Sequence, residues 1–363
     1  MGEWKSYRVI HSLGGIRLIN EHGPQVRIFP NSVTGKVATF ETQTYEGLFS
    51  RSEQIGLPIL GVEFYRHPDQ FDGKDIPEWR AFYRSNRTVW ENEQGAQLWG
   101  NIGNGGHRAK NGKMWDVGSR ISQQLRVCGW RLKELSTSYN LQLISVSQDS
   151  AFRENRKFMN GYTWLCYMSI QSFLVDICIL RDYLAEYTAS FVLDREESKG
   201  NMNISTFSAL KKHILINNDD PLANELDKIS SDAGWLKRLG DYRDLVVHSA
   251  PLAEAEKRLL AITKTAKIPA GDIPYICCPI PKNPQKISAS RANGSMFKDF
   301  EELIEKYVGV GEEDEGYIDG LTYCHEALGL MSCLANKLAA RTPVKPQMLT
   351  IDSSSIIGEI KMI

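Results

Sequence analysis

The stretch Trp235 to Leu252, W-L-K-R-L-G-D-Y-R-D-L-V-V-H-S-A-P-L, decides how the second half of this chain is read. Trp235, Leu236, Leu239, Tyr242, Val246 and Val247 recur at mostly three- and four-residue steps, the stripe of a helix with one buried face. The helix is expected to stop near His248, because Ala250 precedes Pro251 and a residue before proline is biased away from helical dihedrals. Arg243, Asp244 and His248 therefore place a permanent cation, a carboxylate and a titratable base on one short segment. At 3.6 residues per turn, positions five apart lie about 140° apart around a straight helix. Arg243 and His248 do not share a face by spacing alone, so a long guanidinium stem, a frayed last turn or a second copy of the helix must bring them together.

Arg243, the polar Asp244 and His248, in a helical and apolar setting, resemble the signature of the HEPN superfamily: arginine, a polar residue, a few spacers and histidine. That resemblance implies a helical bundle over roughly the second half of the chain. It also implies a metal-independent endoribonuclease, of a kind often found as a toxin or antiviral-defence effector, in which two copies of the bundle face one cleft. The implied partners are an RNA substrate, a second copy of the chain as homodimer, and an antitoxin or sensor protein; no cofactor and no metal are implied. Some toxin members carry a tyrosine two residues after the histidine, the target of nucleotidylation; Ala250 stands there in this chain, so that regulation is not expected. A bare Arg-x4-His spacing is cheap, since Arg17 and His22 show it in a strand-like stretch. What separates Arg243 and His248 is the polar neighbour and the helical context.

The residue types suit RNA cleavage. If the 2′-hydroxyl attacks the adjacent phosphorus, the reaction needs a base, an acid for the leaving 5′-oxygen, and positive charge on the phosphorane oxygens. An imidazole can serve as base or acid near neutrality. Arginine stays charged and offers a planar donor fork to phosphate oxygens. Asp244 cannot stabilise an anion and is given a positioning role. The competing expectation is a non-catalytic helical module that binds RNA, a nucleotide or a protein, and a third is a purely structural dimerisation bundle.

The bulk properties bound these readings. A chain of 363 residues accommodates about two domains at the usual ~100–200 residues each. With 42% hydrophobic and 24% charged residues and a net charge of −1, tight nucleic-acid binding driven by net charge is not supported, and any RNA contact must be local. The seven cysteines form no C-x-x-C and no zinc pattern; they are expected as buried reduced thiols of a cytoplasmic protein. The N-terminal M-G-E-W-K-S-Y holds no apolar signal core.

The expected fold is mainly α: a HEPN-like bundle with a smaller β-rich N-terminal domain. Residues 1–112 form that domain and a linker, 113–345 the bundle with an inserted loop at 266–294, and 346–363 a tail. β-Branched and aromatic runs at 7–10, 16–19, 26–29, 37–40 and 59–64, separated by Gly, Pro and Asn, predict strands. Residues 77–92 interleave arginines with aromatics, and Arg80, Arg84 and Arg87 would share one face of a helix, giving a candidate RNA-contact surface. The glycine- and asparagine-rich Gly100–Lys113 matches no nucleotide-binding loop and reads as a mobile linker.

Helices are expected from about 117 to 148 and from about 152 to 193. The apolar middle of the second, Trp164 to Leu180, is read as a buried bundle helix rather than a membrane span, because Gln171 and Asp176 interrupt it and the run is shorter than the ~20 residues a bilayer needs. Arg181 and Glu186 are expected to form an internal ion pair. Further helices are predicted over 204–216, after the capping Asp220-Pro221 pair, over 251–265, over 296–308 and over 317–340, with the acidic run 312–315 as a solvated loop. The proline-rich 266–294 predicts a strand or hairpin inserted between helices, with vicinal Cys277 and Cys278 reduced within it.

Overall fold

A computed structural model describes residues 7–21, 23–66, 70, 73–147, 152–193, 204–216, 218–252, 259–294 and 316–348. It has a helical part and a smaller β part. The β part is one antiparallel sheet of β1 (Tyr7–Ser12), β2 (Arg17–Asn20), β3 (Gln25–Phe29), β4 (Ala38–Glu41), β5 (Ile59–Tyr65) and β6 (Glu78–Ala81), in the order β4-β3-β2-β1-β5-β6. The five expected strands are all present. Registers such as Ile10↔Leu18 and Ile10↔Val62 put one apolar row on a single face, since side chains alternate along a strand. That row runs through Ile28 and packs with Leu48 and Phe49 of α1 (Tyr45–Gln54), a helix with Thr44 as its N-cap.

The opposite face carries His11, Arg17 and Glu63. It lies against the 36-residue helix α3 (Gly112–Ser147). Trp79 of β6 lies across Gly61 and donates its indole N–H to the Gly129 carbonyl of α3 at 2.8 Å.

α2 (Glu91–Arg108) and α3 form an antiparallel hairpin, so Gly100–Lys113 is helix, turn and helix, not a linker. The reason is packing. A Cβ on Gly118 would stand 3.0 Å from the Gly103 nitrogen, and one on Gly106 would stand 2.9 Å from the Trp115 nitrogen. These glycines let two backbones approach, a gain that offsets their poor intrinsic helix propensity of about 1 kcal/mol each. The expected domain boundary at residue 112 falls where α3 starts, and α2 packs along it.

α4 (Gly161–Tyr187) lies against α3 and ends in a π-turn over Thr188–Val192. Its start is about nine residues later than expected. Lys157–Phe158 forms β7 and pairs with Ile262 and Ala261, and Asn160 then makes a reciprocal capping box with Thr163. By length and composition Gly161–Val192 could cross a membrane, the one such helix among the described residues. One side is buried through Cys166, Ile170, Phe173, Leu174 and Ile177, while Trp164, Leu165 and Met168 remain exposed.

α5 (Phe207–Leu210) continues into a π-turn over Lys211–Leu215, and α6 (Pro221–Ile229) starts at Asp220, whose carboxylate accepts the Leu222 N–H at 2.8 Å. α7 (Trp235–Asp244) follows. The helix expected over 251–265 is overturned from Ala261 onward: β8 (Ala261–Ile268) and β9 (Gly271–Cys277) form a hairpin, and β7 adds a third strand. The apolar Leu259-Leu260-Ala261-Ile262 run is as compatible with a short buried strand as with a helix. β10 (Pro279–Pro281) pairs with β11 (Tyr317–Asp319); α8 (Pro284–Ala292) lies between them in sequence, and α9 (Gly320–Ala339) closes the bundle against α2 and α4. Trp99 of α2, fully buried, donates to the Ala335 carbonyl of α9 at 3.1 Å. The helix expected over 296–308, the acidic run 312–315 and the tail beyond 348 lie outside the described residues.

Candidate functional site

α7 is positioned by its apolar stripe and two specific contacts. Leu236, Leu239 and Tyr242 are buried, and the Tyr242 hydroxyl donates to the Pro281 carbonyl of β10, fixing the residue that precedes Arg243. On another flank, Gly240 leaves room for Arg181 of α4: a Cβ there would stand 2.9 Å from its Nη1. Arg181 is paired with Asp182 at 3.0 Å, and Asp182 also accepts the Phe207 N–H at 3.1 Å. The expected Arg181–Glu186 pair therefore does not form; Glu186 pairs instead with Arg120 of α3 at 3.0 Å. Arg181 turns toward α7 because that glycine opens the space for it.

Past Asp244 the α-helix widens into a π-turn over Leu245–Ser249, in which the Ala250 N–H donates to the Leu245 carbonyl at 2.9 Å. An i→i+5 turn carries one more residue than an α-turn, so positions five apart come above one another. The consequence is direct: Arg243 Nη1 lies 3.2 Å from His248 Nε2. The same Nη1 donates to Asp244 Oδ1 at 2.9 Å. Arg243, Asp244 and His248 are thus in one chain of contacts, with Asp244 orienting the guanidinium. The Arg243–Asp244 pair is solvent-exposed, with 38% and 60% of the two side chains accessible, so it contributes little to stability and its value is geometric. His248 and Ser249 are exposed as well, and Ser249 donates to Ser288 of α8 at 3.3 Å, which sets α8 beside the turn.

Leu245 and Val246 anchor the π-turn in the core while Val247 is exposed. π-Turns often occur at functional sites. A straight helix would have turned His248 away from Arg243, and of the three ways to bring the pair together the widened last turn is the one observed within this chain.

Arg80, Arg84 and Arg87 do not share a helical face. Arg80 lies on strand β6, paired with Glu78 at 2.5 Å and set over the rings of Phe64 and Trp90. Arg84 pairs with Glu53 at 2.9 Å, and Arg87 follows in a bend. Pairing of Glu78–Ala81 with β5 overrides the helical spacing, since those residues complete the sheet edge. The other Arg-x4-His spacing is also set apart: Arg17 is buried, and His22 lies outside the described residues.

Sequence reading misses a buried polar network. His11 Nε2 lies 3.1 Å from Glu63 Oε1, His11 Nδ1 lies 3.2 Å from Ser136 Oγ, and Arg17 donates to the Ser136 hydroxyl at 3.2 Å and its carbonyl at 2.8 Å. The connectivity resembles that of a nucleophile–imidazole–carboxylate triad, yet Ser136 is 0% and His11 1% exposed, which shuts substrate out. Burial, reinforced by the Arg17 charge, pushes the His11 pKa down to about 3, so a neutral ring accepts from Ser136 and donates to Glu63. The network ties the sheet to α3. Its one sequence signal is charged residues alternating with apolar ones on β1, β2 and β5.

All seven cysteines are free, and burial raises the thiol pKa values of Cys277 and Cys278 well above the ordinary range, which makes both poor nucleophiles. Among the described residues no group of three or more His, Cys, Asp or Glu side chains is disposed to hold a metal ion. No family model, curated protein or solved structure matches this chain, so a function is argued from its own residues.

Proposed function

We propose that this chain is a metal-independent endoribonuclease of HEPN type, a toxin or antiviral-defence effector that works in the cytoplasm as a homodimer. Arg243 and His248 are its catalytic residues, and Asp244 positions Arg243. The observation that carries the reading is the π-turn after Asp244, which holds Arg243 Nη1 3.2 Å from His248 Nε2 on an exposed surface. Two residues that regular helical geometry separates are brought together where a phosphate can reach both.

In the unliganded protein the Arg243 N–H occupies the lone pair of His248 Nε2. A phosphate draws the guanidinium onto its non-bridging oxygens, because a charge-assisted fork to an anion is stronger than a bond to a neutral ring. That frees Nε2 to take the proton of the 2′-hydroxyl as the oxygen attacks phosphorus. The phosphorus–5′-oxygen bond breaks as the new bond forms, leaving a 2′,3′-cyclic phosphate. The departing 5′-oxygen needs a proton, which His248 of a second copy supplies when that ring enters the reaction as the imidazolium, so that one histidine starts neutral and the other protonated.

Expression of wild-type protein is expected to arrest growth and degrade cellular RNA, and the Arg243→Ala and His248→Ala proteins to be tolerated at equal abundance. Equal toxicity of all three, or RNA bound tightly and salt-sensitively but left intact by wild type, contradicts the reading.

A further inference from the structure

A cavity lies on the other flank of α7. Trp235 and Arg238 of α7 face Tyr323, Glu326 and Leu330 of α9 across a cavity of about 300 Å³, floored by Ile318 of β11. That size is at the lower end of the ~300–1,000 Å³ found for small-molecule sites, and its make-up, apolar walls with a few polar groups, is theirs too. Arg238 and Arg243 are five positions apart on a regular α-helix, about 140° apart around its axis, so this cavity is distinct from the Arg243–His248 surface.

Three polar groups of the cavity are unspent. Among the described residues, the Arg238 guanidinium and the Glu326 carboxylate, both exposed, make no ion pair with each other or with anything else. The Tyr323 hydroxyl likewise has no hydrogen-bond partner among them. Its ring is fixed against Tyr242, with centroids 4.7 Å apart, and burial raises its pKa well above the ordinary value, so it stays a protonated donor. By contrast, the Asp319 carboxylate at the cavity's edge is fully committed. It accepts from the Tyr139 hydroxyl at 2.9 Å, the Cys278 N–H at 3.1 Å and the Thr322 N–H at 2.9 Å.

The charge balance of the free groups selects the ligand. A phosphate-bearing molecule on Arg238 would set its charge against Glu326. A neutral hydrophobe would leave both charges unsatisfied at the rim. A small molecule with one carboxylate, one ammonium and an apolar group meets all three demands. We propose that the cavity binds a zwitterionic α-amino acid with an apolar side chain: its carboxylate on Arg238 and the Tyr323 hydroxyl, its ammonium on Glu326, and its side chain against Trp235, Ile318 and Leu330.

The test is calorimetric titration of the full chain with L-phenylalanine and L-leucine. Saturable one-to-one binding is expected, weakened about tenfold or more by Arg238→Gln and by Glu326→Gln, the effect of losing one charged hydrogen bond. Two analogues separate the charges. Phenethylamine lacks the carboxylate and becomes insensitive to Arg238→Gln, and 3-phenylpropanoate lacks the ammonium and becomes insensitive to Glu326→Gln. Both substituted side chains are exposed, so the unfolding midpoints are expected to match wild type and a loss of binding reports the site. Absence of binding by both amino acids up to about 10 mM, or equal affinity in wild type and both variants, overturns the proposal.

Discussion

Acidification from pH 6.5 to 4.5 acts on two buried side chains with opposite sign. His11 is surrounded by Arg17, Glu63, Lys133 and Ser136, and burial, then the Arg17 charge, holds its pKa down at about 3 against 6.5 in the unfolded chain. Across that window the unfolded chain takes a proton that the folded protein refuses, so stability is lost as pH falls, by about 1.4 kcal/mol per pH unit. Glu93 of α2 is the opposite case. One carboxylate oxygen accepts the Ala81 N–H at 2.8 Å, the other is buried with no hydrogen-bond partner among the described residues, and burial raises the pKa to about 7 from 4.5. Here the folded protein takes the proton first, and stability is gained at the same rate as pH falls. In wild type the two contributions cancel over the shared window. The perturbation is to remove one at a time. His11→Gln leaves Glu93 acting alone, and stability is expected to rise by about 2–3 kcal/mol from pH 6.5 to 4.5; Glu93→Gln leaves His11, and stability is expected to fall by about as much. Urea midpoints at fixed pH, with an unchanged m-value, read both. Glu63 changes with His11→Gln, because contact with His11 helps to hold its carboxyl low, and losing that contact adds to the rise; the remaining carboxylates contribute alike, so the opposite signs of the two slopes are the signal. Slopes of the same sign and size in both variants refute the reasoning.

Three further outcomes follow from particular contacts. Gly329→Ala places a Cβ 1.9 Å from Cδ2 of Tyr83, and the overpacking is expected to cost about 1–3 kcal/mol in a urea titration. Asp319→Ala removes the cap of α9 and leaves the Tyr139 hydroxyl and the Cys278 N–H without their acceptor; a loss of at least about 2 kcal/mol is expected by the same assay. Inserting one alanine between Val247 and His248 moves the histidine to the sixth position after Arg243, and deleting Val247 moves it to the fourth, where a regular helix stacks the pair. RNA cleavage by the inserted protein is expected to vanish and cleavage by the shortened one to persist, with unchanged helical circular dichroism in both.

Much of the fold is legible in the sequence because local and tertiary preferences agree there. Strands β1 to β5 are β-branched or aromatic runs set off by Gly, Pro and Asn, and α7 carries a clean apolar stripe. The misreadings occur where tertiary packing overrides local signal. Gly103 and Gly106 carry a loop signature, yet together with Gly118 they are contact points of two helices, visible only when both are present. The alternation of Arg80, Arg84 and Arg87 with aromatics suits a helix until Glu78–Ala81 pairs with β5. At the candidate site, the residues Arg243, Asp244 and His248 are legible, and so is the fact that a regular helix does not stack Arg243 on His248; a long side chain, a frayed turn and a second copy all remain open to the sequence, because no periodicity encodes a π-turn. His11 and Ser136 are 125 positions apart, beyond any local pattern.

The proposed nuclease needs Arg243 and His248 to act together on RNA without a metal. Purified wild-type, Arg243→Ala and His248→Ala proteins are incubated with total RNA in EDTA, and the fragment ends are analysed. Cleavage is expected from wild type alone, leaving 2′,3′-cyclic phosphates. Cleavage by the His248→Ala protein at the wild-type rate, or wild-type fragments ending in 3′-hydroxyls, would contradict it.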